Sequence, residues 1–121
     1  ALRRPRTVIA DAQQTARKRL WITEVKEKLT LKDEVGEIRL YNIKNPHSEG
    51  HLIGHVVKDN IVYVTDLISP RGPVPRNEGS LAVGEAFKKY GVSGSLIAGG
   101  HGATVKQADI AAALGMEVSS R

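Results

Sequence analysis

Three side chains that could bind a metal ion lie at turns beside apolar runs of the sequence. His47 lies in a polar loop just before a β-rich run, and Asp66 directly follows the apolar residues 61–65. His101 lies in a Gly-rich turn after residues 96–98. Strands that end in loops with polar side chains are a common way to build a rigid site. The chain has no cysteine, and imidazole and carboxylate are the ligands that suit zinc without thiolate.

Each of these residues is also compatible with an ordinary structural role. A single His in a Gly-rich loop is commonly a surface or turn residue. An Asp after a strand is commonly a turn former or a helix cap. Three such residues in this arrangement weaken the structural interpretation without removing it, so both interpretations stay open at this point.

Periodicity predicts the elements that must position these side chains. Helix-forming residues and apolar stripes predict helices over residues 7–20 and Glu78–Tyr90, and a last helix from Thr104, its N-cap, to Leu114. Alternation and turn signals predict strands over residues 21–31, Glu37–Ile43, 51–57, 60–65 and 95–98. Turn residues 33–36 separate the first two strands, and Gly91 and Gly115 stand where C-caps are expected. This order predicts an α/β fold with the helices on one face of a sheet.

Composition limits the class of protein. A chain of 121 residues fits one small domain, and 40% hydrophobic with 26% charged residues excludes a disordered chain or a membrane protein. The net charge of +5 arises in residues 1–32, which carry nine Lys and Arg against three Asp and Glu. Without a recognition motif, this excess is typical of a solvated helix face, and no nucleic-acid or membrane partner is expected.

The chain begins with neither Met nor a signal-peptide pattern, so its natural start is expected upstream.

The three candidate ligands belong to three motifs that stand in a fixed order along the chain. These are His47-Ser48-Glu49-Gly50, the run 61–67 that contains Asp66, and Gly99-Gly100-His101-Gly102. Together they resemble the C-terminal half of the metallo-β-lactamase superfamily. In that superfamily His-x-x-Gly precedes a hairpin, an Asp follows its second strand, and a Gly-His-Gly turn follows a helix and a strand. The resemblance covers roughly residues 37–115; residues 1–36 match less clearly, and Gly-Gly-His-Gly replaces the more usual Pro-Gly-His-Gly.

The resemblance implies a fold and an activity. The superfamily is an αββα sandwich, so residues 1–121 are expected to form one domain that is half of this sandwich, a mostly antiparallel or mixed sheet with helices on one face. The implied activity is zinc-dependent hydrolysis, in which metal-activated water attacks an ester, lactone, thioester, β-lactam or phosphoester in a small molecule. By this resemblance His47 binds a first zinc ion, Asp66 bridges both ions, and His101 completes the second.

The family signature His-x-His-x-Asp-His does not occur in these 121 residues. Two zinc ions would be poorly held by three protein ligands, because zinc prefers about four donors per ion. The chain is therefore expected to be the C-terminal part of an enzyme and inactive alone. Either the missing N-terminal half or a second copy of the chain would cover the inner face of the sheet. The alternative is a non-catalytic half-domain that self-associates as an interaction or structural module.

Two further features are compatible with a role beside the site. The loop 69–79, with Arg71 and Arg76, follows the candidate ligand Asp66 and could line a substrate entrance, or it is a solvated connector. His51 and His55 share one face of a predicted strand. They could support the site or an interface, or they simply pack or face solvent.

Overall fold

The computed structural model describes residues 21–46, 48–69 and 71–116. His47 and the helix predicted over residues 7–20 lie outside the described residues. The elements are β1 (Lys28–Lys32), β2 (Glu37–Ile43), β3 (His51–Val56), β4 (Ile61–Tyr63), a 3-10 turn (Thr65–Leu67), α1 (Glu78–Tyr90), β5 (Leu96–Ala98), β6 (Val105–Lys106) and α2 (Gln107–Leu114). Within this part of the chain the strands form one six-stranded sheet in sequence order. β4 and β5 pair in parallel and the other neighbours are antiparallel, which makes the sheet mixed.

The first hairpin forms around the predicted turn at residues 33–36. The Asp33 carboxylate accepts hydrogen bonds from the backbone N–H groups of Gly36 (2.9 Å) and Val35 (2.8 Å). These two bonds favour the charged form of Asp33 and lower its pKa. The strand predicted over residues 21–31 is too long at its start, because β1 begins only at Lys28. Trp21 is 88% exposed, so the alternating pattern before β1 has no layer to pack against.

Helix α1 has the bounds that the sequence predicts, and its two caps explain why. The Asn77 side chain accepts from the backbone N–H of Ser80, and the Ser80 hydroxyl accepts from the backbone N–H of Asn77, both at 3.0 Å. This reciprocal capping box satisfies donors that a helix start leaves unpaired. At the other end Gly91 adopts a left-handed φ of 62°, a conformation that glycine enters at little cost.

The last helix begins two residues later than predicted, with Lys106 and not Thr104 as its N-cap, because the segment after Thr104 joins the sheet. Val105 and Lys106 pair with Ile97 and Leu96 of β5 to form the short strand β6. Helix α2 therefore starts at Gln107. The Asp109 carboxylate then accepts from the backbone N–H of Lys106 at 3.1 Å, so an acidic side chain in the first turn replaces the expected Thr cap.

Both helices cover the same face of the sheet, as the sequence predicts. The core consists of alternate strand residues packed against apolar residues of the helices, among them Tyr41, Ile43, Ile53, Val62, Ile97, Val83, Phe87, Ile110 and Leu114. The Tyr90 hydroxyl donates to the Asn42 carbonyl at 2.7 Å, and its ring lies 4.9 Å from that of Tyr41. Tyr90 thus fixes the C-terminal end of α1 to β2.

In the described part of the chain, neither helix has the length and apolar character needed to cross a membrane.

We predict that Tyr90→Phe lowers the free energy of unfolding by about 1 kcal/mol, because it deletes a part-buried hydrogen bond while keeping the ring. Tyr63→Phe is the matched control, since Tyr63 is 47% exposed on the other face of the sheet. Urea denaturation of both variants gives the comparison. Equal losses in the two variants would show that the Tyr90 hydroxyl does not link helix and sheet.

Candidate metal site

Asp66 and His101 are brought together by the parallel pairing of β4 and β5. Tyr63 and Ala98 are register partners at the last positions of these strands, and each candidate ligand follows three residues later. Because the carboxyl ends of parallel strands lie at the same edge of a sheet, the two loops meet. Asp66 Oδ1 lies 3.4 Å from His101 Nε2. The third candidate, His47, lies outside the described residues.

The separation of the two atoms fits shared coordination of one ion. With bonds near 2.1 Å, two donors on a tetrahedral zinc lie about 3.4 Å apart. The side chains of His101 and Asp66 are 75% and 61% exposed. A contact between side chains so exposed contributes little to stability, so folding energy gives no strong reason for this juxtaposition. The open edge leaves the facing donor atoms accessible to an ion from solvent.

Thr65 holds three segments of this site together. Its carbonyl accepts from the Gly100 N–H at 2.7 Å, and its hydroxyl is hydrogen-bonded to His51 Nε2 at 2.6 Å. Thr65 has a φ of 50°, and a β-branched residue in this left-handed region costs on the order of 1–3 kcal/mol. The strained turn points the next residue, Asp66, at the His101 loop. The sequence gives no signal for this role, since Thr normally favours extended backbone.

The two glycines before His101 lie where the two loops approach each other closely. A Cβ at Gly99 would lie 2.1 Å from the Ile68 carbonyl oxygen, and one at Gly100 would lie 2.8 Å from Asp66 Oδ1. The first clash is with backbone and the second with the end of an exposed side chain. The Gly-rich turn therefore lets the His101 loop pack directly on the turn that carries Asp66.

His51 and His55 have different environments although they share a strand face. His51 opens β3 at the site edge and contacts Thr65, so it supports the turn that positions Asp66. His55 is buried near the other end of β3, where its Nε2 lies 3.0 Å from the Asn60 side chain. It is a packed residue and belongs to no part of the site. Arg71 and Arg76 are exposed.

Within residues 21–46, 48–69 and 71–116, no group of three or more His, Cys, Asp or Glu side chains is close enough to hold a metal ion. The described residues thus contribute two facing donors, Asp66 and His101. The third predicted ligand is not among them. A complete site needs donors in addition to this pair, since zinc in proteins usually has four ligands.

Comparison with solved structures identifies the architecture. No protein-family model matches the sequence, and no curated protein does. The crystal structure of a metallo-β-lactamase from Hirschia baltica superposes with a TM-score of 0.51 over 74% of this chain and 43% of that chain, at 14% identity. The chain has the fold of half a metallo-β-lactamase sandwich. At this identity the likeness shows the fold alone, and this chain spans less than half the length of that protein.

We predict that alanine at the two adjacent glycines changes the free energy of unfolding by different amounts. Gly100→Ala should leave the free energy of unfolding nearly unchanged and weaken zinc binding at least tenfold, because the new methyl displaces only the exposed Asp66 carboxylate. Gly99→Ala should cost about 1–3 kcal/mol of stability, because the backbone itself must move. Urea denaturation and zinc titration of both variants check this. Equal stability losses would contradict the described packing.

We predict that Thr65→Val lowers stability by about 1 kcal/mol, because Val keeps the β-branched shape and deletes only the hydroxyl that binds His51. Thr104→Val, at an exposed position outside the site, is the control and should change stability little. The measurement is thermal unfolding followed by circular dichroism. Indistinguishable melting temperatures for the two variants would exclude Thr65 as the residue that ties the loops together.

Proposed function

We propose that this chain is the C-terminal, metal-binding part of a zinc-dependent hydrolase of the metallo-β-lactamase type. The observation that supports it best is the 3.4 Å approach of Asp66 Oδ1 and His101 Nε2 at the end of two parallel strands. Their chemistry suits zinc, and their spacing is that of two donors on one tetrahedral ion. The half-sandwich fold is consistent with the proposal.

The residues that would hold zinc are Asp66 and His101, with His47 as a third ligand. When bound, zinc lowers the pKa of a water molecule so that it serves as a nucleophile toward an acyl or phosphoryl centre at neutral pH. Thr65 holds the Asp66 turn against the His101 loop through the Gly100 N–H, and it is itself held by His51. This scaffold keeps the two donors facing each other before the ion arrives, which reduces the cost of binding.

The remaining ligands would come from a missing N-terminal half, so the chain alone is expected to be inactive. Small-molecule esters, thioesters, lactones, β-lactams and phosphoesters are the candidate substrates. The upstream sequence of the parent gene gives a direct check. A His-x-His-x-Asp-His motif in frame before Ala1 supports the proposal, and a start codon directly before Ala1 contradicts a lost half.

A second candidate is a non-catalytic half-domain that serves as an interaction or structural module. The observation that favours it is the exposure of Leu31, Ile38, Tyr63 and Leu96 on the sheet face opposite the helices. The two candidates differ in whether Asp66 and His101 bind zinc in preference to other exposed groups.

Zinc titration of purified variants tests the metal-binding part of the proposal. Asp66→Asn and His101→Gln should each weaken zinc binding by tenfold or more, because each deletes one donor. Asp59→Asn is the matched control, since Asp59 is an exposed carboxylate in the β3–β4 turn and should leave the affinity unchanged. Isothermal titration calorimetry measures all four proteins. If the wild type binds zinc no better than Asp66→Asn, Asp66 supplies no zinc donor in this chain and the structural module is the better account.

A further inference from the structure

Strand β1 is an end strand of the sheet among the described residues, and its pairing with β2 shows which of its backbone groups are already bonded. The Glu27 carbonyl accepts from the Asn42 N–H at 2.7 Å, and the Asp33 N–H donates to the Gly36 carbonyl at 3.0 Å. In an antiparallel pair such bonded positions recur at every second residue. The intervening residues, which point their backbone N–H and C=O groups away from β2, are Lys28, Thr30 and Lys32.

Two lysines accompany these outward backbone groups. Lys28 and Lys32 are exposed, and they lie roughly 13 Å apart on one face of the strand, four residues from each other. Glu37, the register partner of Lys32, is bound by Arg39 at 2.5 Å. In the part of the chain that the structure describes, neither lysine belongs to an ion pair. The edge of β1 therefore combines backbone groups available for pairing with two cations that have no carboxylate partner.

We propose that the edge of β1 binds an extended acidic segment of a partner protein, which adds a further strand to the sheet. The residues of such a strand that bond to β1 lie directly opposite Lys28, Thr30 and Lys32 and have their side chains on the same face. Asp or Glu at every second position of the segment would therefore lie opposite the two lysines. Opposite charges directly across two strands stabilise their pairing, and addition of a strand to an exposed edge is a general mode of peptide recognition.

Charge argues against two other occupants of this edge. If the β1 edges of two copies paired antiparallel about Thr30, Lys28 of each copy would lie opposite Lys32 of the other, and like charges directly opposite destabilise the pair. Lysine on an edge strand is a common protection against such self-pairing. The chain's own residues 1–20 carry six Lys and Arg against one Asp, so their charge does not complement this edge. Their surplus of positive charge would instead attract an acidic partner toward β1.

The backbone of β1 also favours a peptide over a nucleic acid. Each outward residue presents one N–H donor and one C=O acceptor, and the backbone of another strand carries the same two groups in matching order. The phosphate oxygens of a nucleic acid accept hydrogen bonds and donate none at neutral pH. They would satisfy the N–H groups and the lysines and leave the carbonyl groups of the edge without partners.

Fluorescence anisotropy of a labelled, end-capped peptide of alternating Glu and Val measures binding to the wild-type chain and to two double variants. Lys28→Glu/Lys32→Glu should weaken binding by about tenfold or more, because both opposite-charge pairs become like-charge pairs. Lys58→Glu/Lys88→Glu is the matched control, since both lysines are exposed outside β1 and the net charge changes equally. This control should bind the peptide within about twofold of the wild-type affinity, because salt screens exposed charges that lie far from the peptide.

Methylated peptides test strand pairing without any change in the protein. N-methylation at the Glu residues removes the N–H groups that would bond to β1, so it should weaken binding by about tenfold or more. N-methylation at the Val residues removes N–H groups that point away from β1 and should change the affinity little. The two methylated peptides have the same charge and composition, so a difference between them reports the hydrogen bonds of the added strand.

The proposal is overturned if the wild-type chain does not bind the peptide saturably, if both double variants lose affinity equally, or if the two methylated peptides bind equally well. A thymidine oligonucleotide that displaces the peptide and itself depends on Lys28 and Lys32 would assign the edge to nucleic acid instead. Circular dichroism checks that each variant is folded, and if Lys28→Glu/Lys32→Glu does not fold, the methylated peptides decide. All binding is measured without zinc, so this proposal and the zinc-site proposal can fail separately.

Discussion

The site depends on one strained residue. Thr65 lies between the end of β4 and Asp66 and has a left-handed backbone conformation. Its two hydrogen bonds connect it to His51 at the start of β3 and to Gly100 in the His101 loop. The cost of that conformation is offset by these bonds and by the surrounding packing. Without Thr65 in this conformation, Asp66 would follow the direction of β4. Asp66 and His101 therefore face each other because of this turn, and the small residues Gly99 and Gly100 leave room for the two loops to approach.

Elements governed by local interactions could be predicted from the sequence. Helix α1 was predictable because its capping box and its C-terminal Gly91 are encoded by neighbouring residues. Strand β2 was predictable because one face is buried and its side chains alternate. The motifs at Asp66 and His101 also indicated which loops carry polar donors, and the parallel pairing of β4 and β5 explains why those loops meet.

What could not be predicted depends on contacts distant in sequence. Strand β6 is two residues long and exists because β5 offers it an edge, which no local pattern reveals. Residues 21–27 alternate like a strand, yet they form none because alternation stabilises a strand only when one face is covered. The role of Thr65 depends on its partners His51 and Gly100, which are 14 and 35 positions away along the chain.

The half-sandwich explains why a site and an apolar surface occur together in so small a chain. Helices cover one face of the sheet, large apolar side chains such as Leu31 and Ile38 are exposed on the opposite face, and the donor pair follows the ends of β4 and β5. Burial on the helix side alone gives a small core, and a second layer would add to it.

The most direct measurement is a zinc titration of the isotopically labelled chain followed by amide NMR. The account predicts saturable shifts that are centred on Asp66, Gly100 and His101 and extend to Thr65 and the start of β3, because these segments are hydrogen-bonded to one another. Shifts that are absent, or that centre on other acidic residues such as Asp59 or Glu85, would contradict the assignment of this strand-end edge as a metal site.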